Sequence, residues 1–523
     1  MKILLENWQL DSSRLPANWQ ENIAVYASNA SGIPIEALQA VQIISCSTDS
    51  RGKVPKLVLN LLLETSAAPK KAGKLISDAD AAAYKTPSLP LPSASKLRNP
   101  LVIGTGPAGI SAAFVLAQAG CCPIIIDRGP AVDLRVAAHR KFLQSRQLDE
   151  EKNLLIGEGG AGTFSDGKLY TGTRDINAMF LKKLWVECGA PQEILWRTRA
   201  HIGSDNLPAI AANLRRKITE LGGRFLFDTN IVDLLIRNGR CCGVITSTGE
   251  ILEAPAVILA PGLGGRELIR NLCKKVAWEP KLFQSGCRIE HPQYLIDKAM
   301  YHITPRPQAL GAAEYHIVSH KGNLPVSSFC MCPGGTLVNA SAWEKHSISN
   351  GMSCFDRSGK FANSCLIATF DPAVWGNIEN LFADFDDLEK RIFTAGGSDY
   401  TFPAQDAASF CRKTPGLKSC ESGCETGIVP ARLDQLLMPE LQETLSAAIM
   451  DFERKIPGFV RNGKLIGAES FVSSPIRICR DRVSYQNPSL PGLYPAGEGC
   501  GLAGGIVSAG CDGIRCALAL LNE

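Results

Sequence analysis

No stretch of this sequence approaches the roughly 18 uninterrupted apolar residues that a membrane span requires. The opening stretch, MKILLENWQLDSSRLP, reaches Glu6 before any apolar run attains signal-peptide length, so neither a targeting segment nor a membrane partner is expected. The nineteen cysteines are scattered rather than spaced as a secreted disulfide scaffold, which favours a reducing, cytoplasmic setting. Cys330, Cys332, Cys420 and Cys424 form no C-x-x-C pair and lack histidine ligand spacing, and no metal is expected. A strong charge bias is missing too. The formal charge is +4, and the basic runs RGKVPK (51–56) and PKKAGK (69–74) are short and local, so nucleic acid is a disfavoured partner.

What is present begins at residue 101. LVIGTGPAGISAAFVLAQAGCCPIIID (101–127) places a short apolar strand, a glycine turn, a helix of small residues and a second apolar strand ending in an acid. This is the βαβ dinucleotide fingerprint in the context it needs. Gly104 allows the tight turn, Gly106 lets backbone N–H groups approach a pyrophosphate, and Gly109 brings the helix close to the strand. Pro107 and Ala108 open that helix, whose N-terminus faces the phosphates. Asp127, with Arg128 beside it, is placed to meet a ribose diol. The acid suits FAD or NAD better than NADP.

At the other end, LYPAGEGCGLAGGIVSAGCDGIRCAL (493–518) predicts a strand, a turn and a helix with a glycine-rich start. It resembles the closing segment of flavoprotein folds, in which an acid after the strand meets the ribityl chain and the next helix points at the flavin. By that resemblance Gly497, Glu498, Gly504, Gly505 and Ile506 are cofactor residues, and the cofactor is FAD. Between the two ends, 225–265 predicts a β-meander with turns at Asn238-Gly239 and Thr248-Gly249. The same resemblance puts Val232 near adenine and Gly262 near the cofactor. GLGGRE (262–267) is no second fingerprint, because Glu267 stands where the third glycine belongs, so no separate NAD(P) domain is expected.

GEGGAGTFSDGKL (157–169) follows a charged, helical stretch. Its glycines expose successive N–H groups, while Thr163, Ser165 and Lys168 offer donors, and we read Gly160, Ala161 and Gly162 along the pyrophosphate and flavin. A flexible surface loop is the alternative, against which Ala161, Phe164 and Leu169 stand as apolar anchors.

The strings GEGGAGTFSDGKL, RIEHPQ (288–293), SFCMCPGG (328–335), NGMS (350–353), SSPIRI (473–478) and LYPAGEG with AGGIVSAGCDGI (493–514) closely resemble a family of FAD-dependent dehydrogenase-like proteins of bacteria and plastids. That resemblance implies an α/β fold of the glutathione-reductase-like type, holding FAD without a covalent bond, with an inserted α+β substrate domain and a small N-terminal α+β domain. The expected partition is 1–95 for the N-terminal domain with a linker over 66–99, 96–270 for the first part of the FAD-binding domain, 271–460 for the insertion, and 461–523 for the return.

Within the insertion, Arg288 and Glu290 share a strand face, so an ion pair and a substrate clamp are both open. His291 is either a proton donor near the flavin or a structural histidine before Pro292. Cys330 and Cys332 read as packed small residues more readily than as a redox dithiol. The function expected is an FAD-dependent oxidoreductase exchanging a hydride or electrons between flavin N5 and a small organic substrate, its electron donor or acceptor unassigned. An FAD-dependent RNA-modification protein and a non-catalytic flavin scaffold are the alternatives.

Overall fold

Three consecutive residues, Leu101–Ile103, are fully shielded from water, and this is why the strand they form lies at the centre of a sheet rather than at an edge. In the computed structural model, which describes residues 1–84, 88–89, 91, 95–170 and 175–523, that sheet has five strands. Their order is Leu493–Pro495, Val257–Leu259, Leu101–Ile103, Ile124–Ile126 and Arg224–Leu226, and every neighbouring pair is parallel. The chain leaves the central strand in one direction and returns on its other side, which creates a switch point between Leu101–Ile103 and Val257–Leu259.

The helix Pro107–Gln118 packs on this sheet beneath the C-terminal helix Ile506–Leu521. Small residues set the separation of the two helices: a Cβ on Gly513 would come within 1.9 Å of the Ala108 carbonyl oxygen. Against the sheet's other face lies the expected meander, with strands Ile231–Arg237, Arg240–Thr246 and Ile251–Glu253. Its first turn has Asn238 at φ 51° and Gly239 at φ 71°, the left-handed pair that a two-residue hairpin turn demands.

The middle of the chain builds a seven-stranded, largely antiparallel sheet. Its order is Val318–Ser319, Val326–Cys332, Phe361–Phe370, Phe283–Pro292, Lys464–Glu469, Phe402–Asp406 and Ile428–Pro430. The amphipathic helices Ile378–Ala395 and Pro439–Lys455 bury their apolar faces in the core shared with this sheet. Within AAEYHIVS (312–319), whose apolar residues predict a strand, only Val318–Ser319 forms one. The expected boundary at 460 is also displaced, because Lys464–Glu469, almost wholly buried, pairs with Phe283–Pro292 and Phe402–Asp406 inside this sheet. The crossing is made by an antiparallel ribbon instead, Trp278–Pro280 against Ile476–Ile478.

The N-terminal unit is a four-stranded sheet with the helix Ile23–Ser31 and its own core around Trp19 and Leu59. It docks through Cys46, whose backbone N–H donates to Trp196 O at 2.8 Å and whose carbonyl accepts from Thr198 N at 3.0 Å. The expected linker over 66–99 is partly structured. Lys74–Ile76 adds a strand to this sheet, and Asp78–Ala82 is a short helix capped reciprocally by Ser77 and Asp80. Positions 85–87, 90 and 92–94 of that linker lie outside the described residues.

Candidate cofactor and substrate site

The three fingerprint glycines meet different surroundings. Gly104 has φ 94°, and a Cβ there would come within 2.2 Å of the Ala260 carbonyl oxygen; one on Gly109 would come within 1.9 Å of Gly104 O. Both are demanded by close backbone packing. Gly106 is different, since a Cβ there would meet nothing within 4 Å. It opens the helix Pro107–Gln118 without any side-chain cap, so the first N–H groups of that helix face open space.

Gly262 and Gly505, both at positive φ, likewise front space with nothing within 4 Å of a Cβ. Gly262 follows the strand Val257–Leu259, and Gly505 opens the helix Ile506–Leu521, again uncapped and with no acid in its first turn. Each of these three glycines thus leaves open space where a Cβ would stand, and the helices Pro107–Gln118 and Ile506–Leu521 both begin without a side-chain cap.

Beside the switch point is a cavity of about 120 Å³, lined among others by Gly104, Asp127, Arg128, Val232, Gly264 and Asn271. Asp127 Oδ2 accepts from the backbone N–H of Thr105 at 2.9 Å and from its hydroxyl, and Oδ1 accepts from Gly129 N at 2.9 Å. A carboxylate offers about four acceptor positions. One remains on Asp127 for a ribose hydroxyl. Arg128 is held by Glu151 in a two-pronged pair at 2.7 and 3.1 Å.

The loop 157–169 folds directly over the fingerprint turn. Gly159 N donates to Thr105 O at 3.1 Å, and residues Gly160–Phe164 form a tight helical turn. The hydroxyls read as cofactor donors are directed elsewhere: Ser165 donates to Gly162 O at 2.7 Å, and Thr163 to Glu158 O at 3.4 Å. Both side chains therefore shape the loop. Phe164 packs with Leu154, Val338 and Met352, which ties the loop to the two-stranded sheet of Thr336–Asn339 and Ser349–Met352.

A residue missed in the sequence organises this loop. Arg135, fully buried in the helix Val132–Ser145, donates to the carbonyls of Asn153, Leu154, Gly157, Glu158 and Gly160. Burial pulls its pKa down to about 10, and its guanidinium lies 4.8 Å from the centre of the Phe164 ring. Its only advance sign was an arginine in the helix leading to a glycine-rich loop.

Lys168 stands at the far end of the loop, paired with Asp166 at 2.8 Å. Burial opposes its charge, but Asp166 outweighs it and raises the lysine's pKa. Burial likewise opposes the charge of Asp166, and Lys168 and Arg357 outweigh it to hold the carboxyl below its ordinary range. Arg357 Nε donates to Asp166 Oδ1 at 3.0 Å from 191 positions away, a partner that no sequence spacing marks.

At the closing segment, Gly497 N donates at 2.9 Å to Asp512, which Arg480 grips with two nitrogens. Glu498 Oε1 accepts from Ser474 N at 2.9 Å, and a Cβ on Gly504 would come within 2.2 Å of Oε2. Burial raises the Glu498 pKa. The acid is thus pressed between Gly504 and the segment SSPIRI.

Arg288 pairs with Glu469 rather than with Glu290. Its Nε donates to Glu469 Oε2 at 2.9 Å, and its terminal nitrogens donate to Asn350, Asn363 and the Cys330 carbonyl. Fully buried and fully partnered, it is a structural ion pair, since the strand register puts Ile466 opposite Arg288 and leaves Glu469 within its reach. His291 is buried against Phe459, with Nε2 2.9 Å from that residue's carbonyl oxygen, and burial lowers its pKa to about 4. It is held neutral, which does not suit a proton donor. Cys330 is exposed, and the Cys332 thiol donates to the Cys330 carbonyl at 3.2 Å; both are free.

The arrangement fits a dinucleotide of the FAD type. It offers open glycine fronts, two uncapped helix ends, an acid with one acceptor left, and a loop running from the turn to the two-stranded sheet and Arg357.

Comparison with known proteins agrees. Residues 282–471 match the family model described as FAD-dependent protein, C-terminal domain-like, a span lying wholly between the two strands of the ribbon. A Clostridium beijerinckii protein described as uncharacterised is 37% identical over 433 residues, covering 81% of this chain and 81% of its own. Among solved structures, CtdE in complex with FAD is 12% identical, covers 82% of this chain and 85% of its own, and gives a TM-score of 0.33. A geranylgeranyl bacteriochlorophyll reductase-like protein of Thermoplasma acidophilum is 14% identical, covers 81% and 78%, and gives 0.36.

Proposed function

The chain belongs to a family of FAD-dependent proteins, and from that premise we propose that it is an oxidoreductase acting on a small organic molecule bound between the cofactor crevice and the seven-stranded sheet. FAD is its cofactor. Bound there, FAD supplies two-electron exchange with the substrate.

The N–H groups at Gly106 and the following turn of helix hold the pyrophosphate, and the free acceptor on Asp127 holds the ribose. The uncapped end at Gly505 sets positive potential at the crevice. Phe164 and its neighbours keep water from the loop's inner side. Lys168, kept protonated by Asp166, has N–H groups without a hydrogen-bond partner among the described residues and orients an anionic part of the substrate. The observation that carries this reading is the loop 157–169. Its Gly160 end lies against the dinucleotide turn, and its Asp166 end is held by Arg357, which shortly precedes the strand Phe361–Phe370.

Anaerobic titration of the FAD-loaded protein with small organic donors, followed by flavin absorbance, tests the proposal. Anionic donors should bleach the wild type, and Lys168→Met should raise the concentration required while leaving FAD content unchanged. NADH and NADPH should reduce it slowly or not at all, because no second fingerprint is present. A flavin that no donor reduces would leave a binding scaffold as the better reading.

A further inference from the structure

Behind the cofactor cavity, three side chains from two segments converge on one point. Asp386 and Glu389 lie one turn apart on the helix Ile378–Ala395, and His346 comes from the connection between strands Thr336–Asn339 and Ser349–Met352. One donor atom from each lies within 4.8 Å of the other two.

The protein holds each group in place through its other atoms. Ser470 Oγ donates to Glu389 Oε1 at 2.6 Å, while Arg266 reaches Glu389 Oε1 at 3.3 Å and Asp386 Oδ1 at 2.9 Å. Arg266 is itself stacked 3.9 Å over the Trp343 ring. His346 Nδ1 lies 2.6 Å from the Glu344 carbonyl oxygen. A carbonyl only accepts, so Nδ1 carries the proton, and Nε2 presents a lone pair whenever the ring is neutral.

What remains is unsatisfied. Glu389 is 1% exposed and His346 9%, and neither Glu389 Oε2 nor His346 Nε2 has a hydrogen-bond partner among the described residues. A proton on Nε2 does not resolve this, because Asp386 Oδ2 is 3.9 Å away, beyond a hydrogen bond, and Glu389 Oε2 would still have no partner. Electron-pair donors turned toward one another, two of them buried and unpaired, point to a cation between them.

We propose that His346, Asp386 and Glu389 bind one divalent metal ion of the manganese or iron type, at the junction of the helix Ile378–Ala395 with the helix Arg266–Leu272. One imidazole and two carboxylates suit such ions. With neutral His346, the two carboxylates face the Arg266 guanidinium and, 3.9 Å from Asp386 Oδ2, the Lys390 ammonium, so these side chains carry no net charge and the ion would take the place of the exposed Lys390 at Asp386. The contacts to Ser470, Arg266 and Glu344 are the outer shell that orients metal ligands. Asp386, the most exposed of the three, closes the remaining distance. Arg266 directly follows Gly264 and Gly265 at the cofactor cavity, so the ion would fasten the insertion to the wall of that cavity.

Mn²⁺ is the probe of choice, because nineteen free cysteines would take up Zn²⁺ elsewhere. The FAD-loaded protein, stripped with chelator and desalted, is titrated with MnCl₂ while the six-line electron paramagnetic resonance signal of free Mn²⁺ is followed. One equivalent should disappear from the free signal. His346→Gln and Glu389→Gln should each weaken binding by about tenfold or more, with Asp386→Asn as the variant least apt to disturb the fold. Asp387→Asn, on the same helix but paired with Arg391, should bind as the wild type does. An unchanged free signal with the wild type, or wild-type affinity in all three ligand variants, would overturn the site.

Discussion

A Cβ placed on Gly160 would stand 3.1 Å from the Cα of Gly106, so the glycine-rich loop and the dinucleotide turn meet backbone to backbone. Neither glycine tolerates much in that gap, yet Gly106 has open space on the side its own Cβ would occupy.

This contrast separates two substitutions in one motif. Gly106→Val should fold with wild-type circular dichroism but purify colourless, because its side chain takes the space of the pyrophosphate. Gly109→Ala pushes a methyl into the Gly104 carbonyl and should destabilise the protein itself by about 1–3 kcal/mol or more, measured by urea unfolding. Full FAD content in Gly106→Val would refute the placement.

Arg135→Met retains most of the volume but takes the guanidinium from five carbonyls, of which Gly157 and Glu158 keep a second donor in Gly160 N and the Thr163 hydroxyl. Each unpaired buried group costs about 1–3 kcal/mol. Allowing for relaxation, a loss of about 3 kcal/mol or more is expected in denaturant titrations, with FAD dissociating faster as the loop loosens. Unchanged FAD release would detach the loop from the cofactor.

Glu290 gives a pH signature. Burial raises its pKa from 4.5 to about 7, and it accepts from Gly423 N at 2.8 Å. Between these values the unfolded chain ionises while the folded one keeps its proton, so stability falls as pH rises through that window. The difference is worth about 3 kcal/mol when complete. Glu290→Gln should therefore match the wild type near pH 4 and exceed it near pH 8. His291 and His201, each lowered to about 4 by burial, act with the opposite sign, losing stability as pH falls from about 6.5. Subtracting the wild-type curve from that of the variant removes their contribution.

Cys330 and Cys332 should be dispensable for electron transfer. The Cys332 thiol is already committed to the Cys330 carbonyl, and two-residue spacing strains any bridge. A double Cys→Ser variant should reduce and reoxidise its flavin at the wild-type rate. A slower rate with FAD content intact would make the pair a redox centre.

Legibility in the sequence followed locality. The fingerprint, the Asn238-Gly239 turn and the helix Pro439–Lys455 declare themselves through residues that touch one another within a few positions. Arg288 carried no such sign. Its partner Glu469 is 181 positions away and becomes a neighbour only through the register of two antiparallel strands. The strand Lys464–Glu469 falls on the wrong side of the boundary expected at 460 for the same reason, since an apolar segment does not announce which sheet it joins. Arg135 and His346 were illegible because their meaning lies in carbonyls and carboxylates brought to them by the fold.

The ribbon of Trp278–Pro280 and Ile476–Ile478 has a further consequence. It brings the way into the seven-stranded unit and the way out of it side by side, so the chain between them closes on itself. A segment whose ends meet can grow or shrink by insertion without moving the strands at its base, because closing its ends adds little entropic cost. What limits such drift is the contact made elsewhere, where Arg357 holds Asp166 and Val338 packs on Phe164.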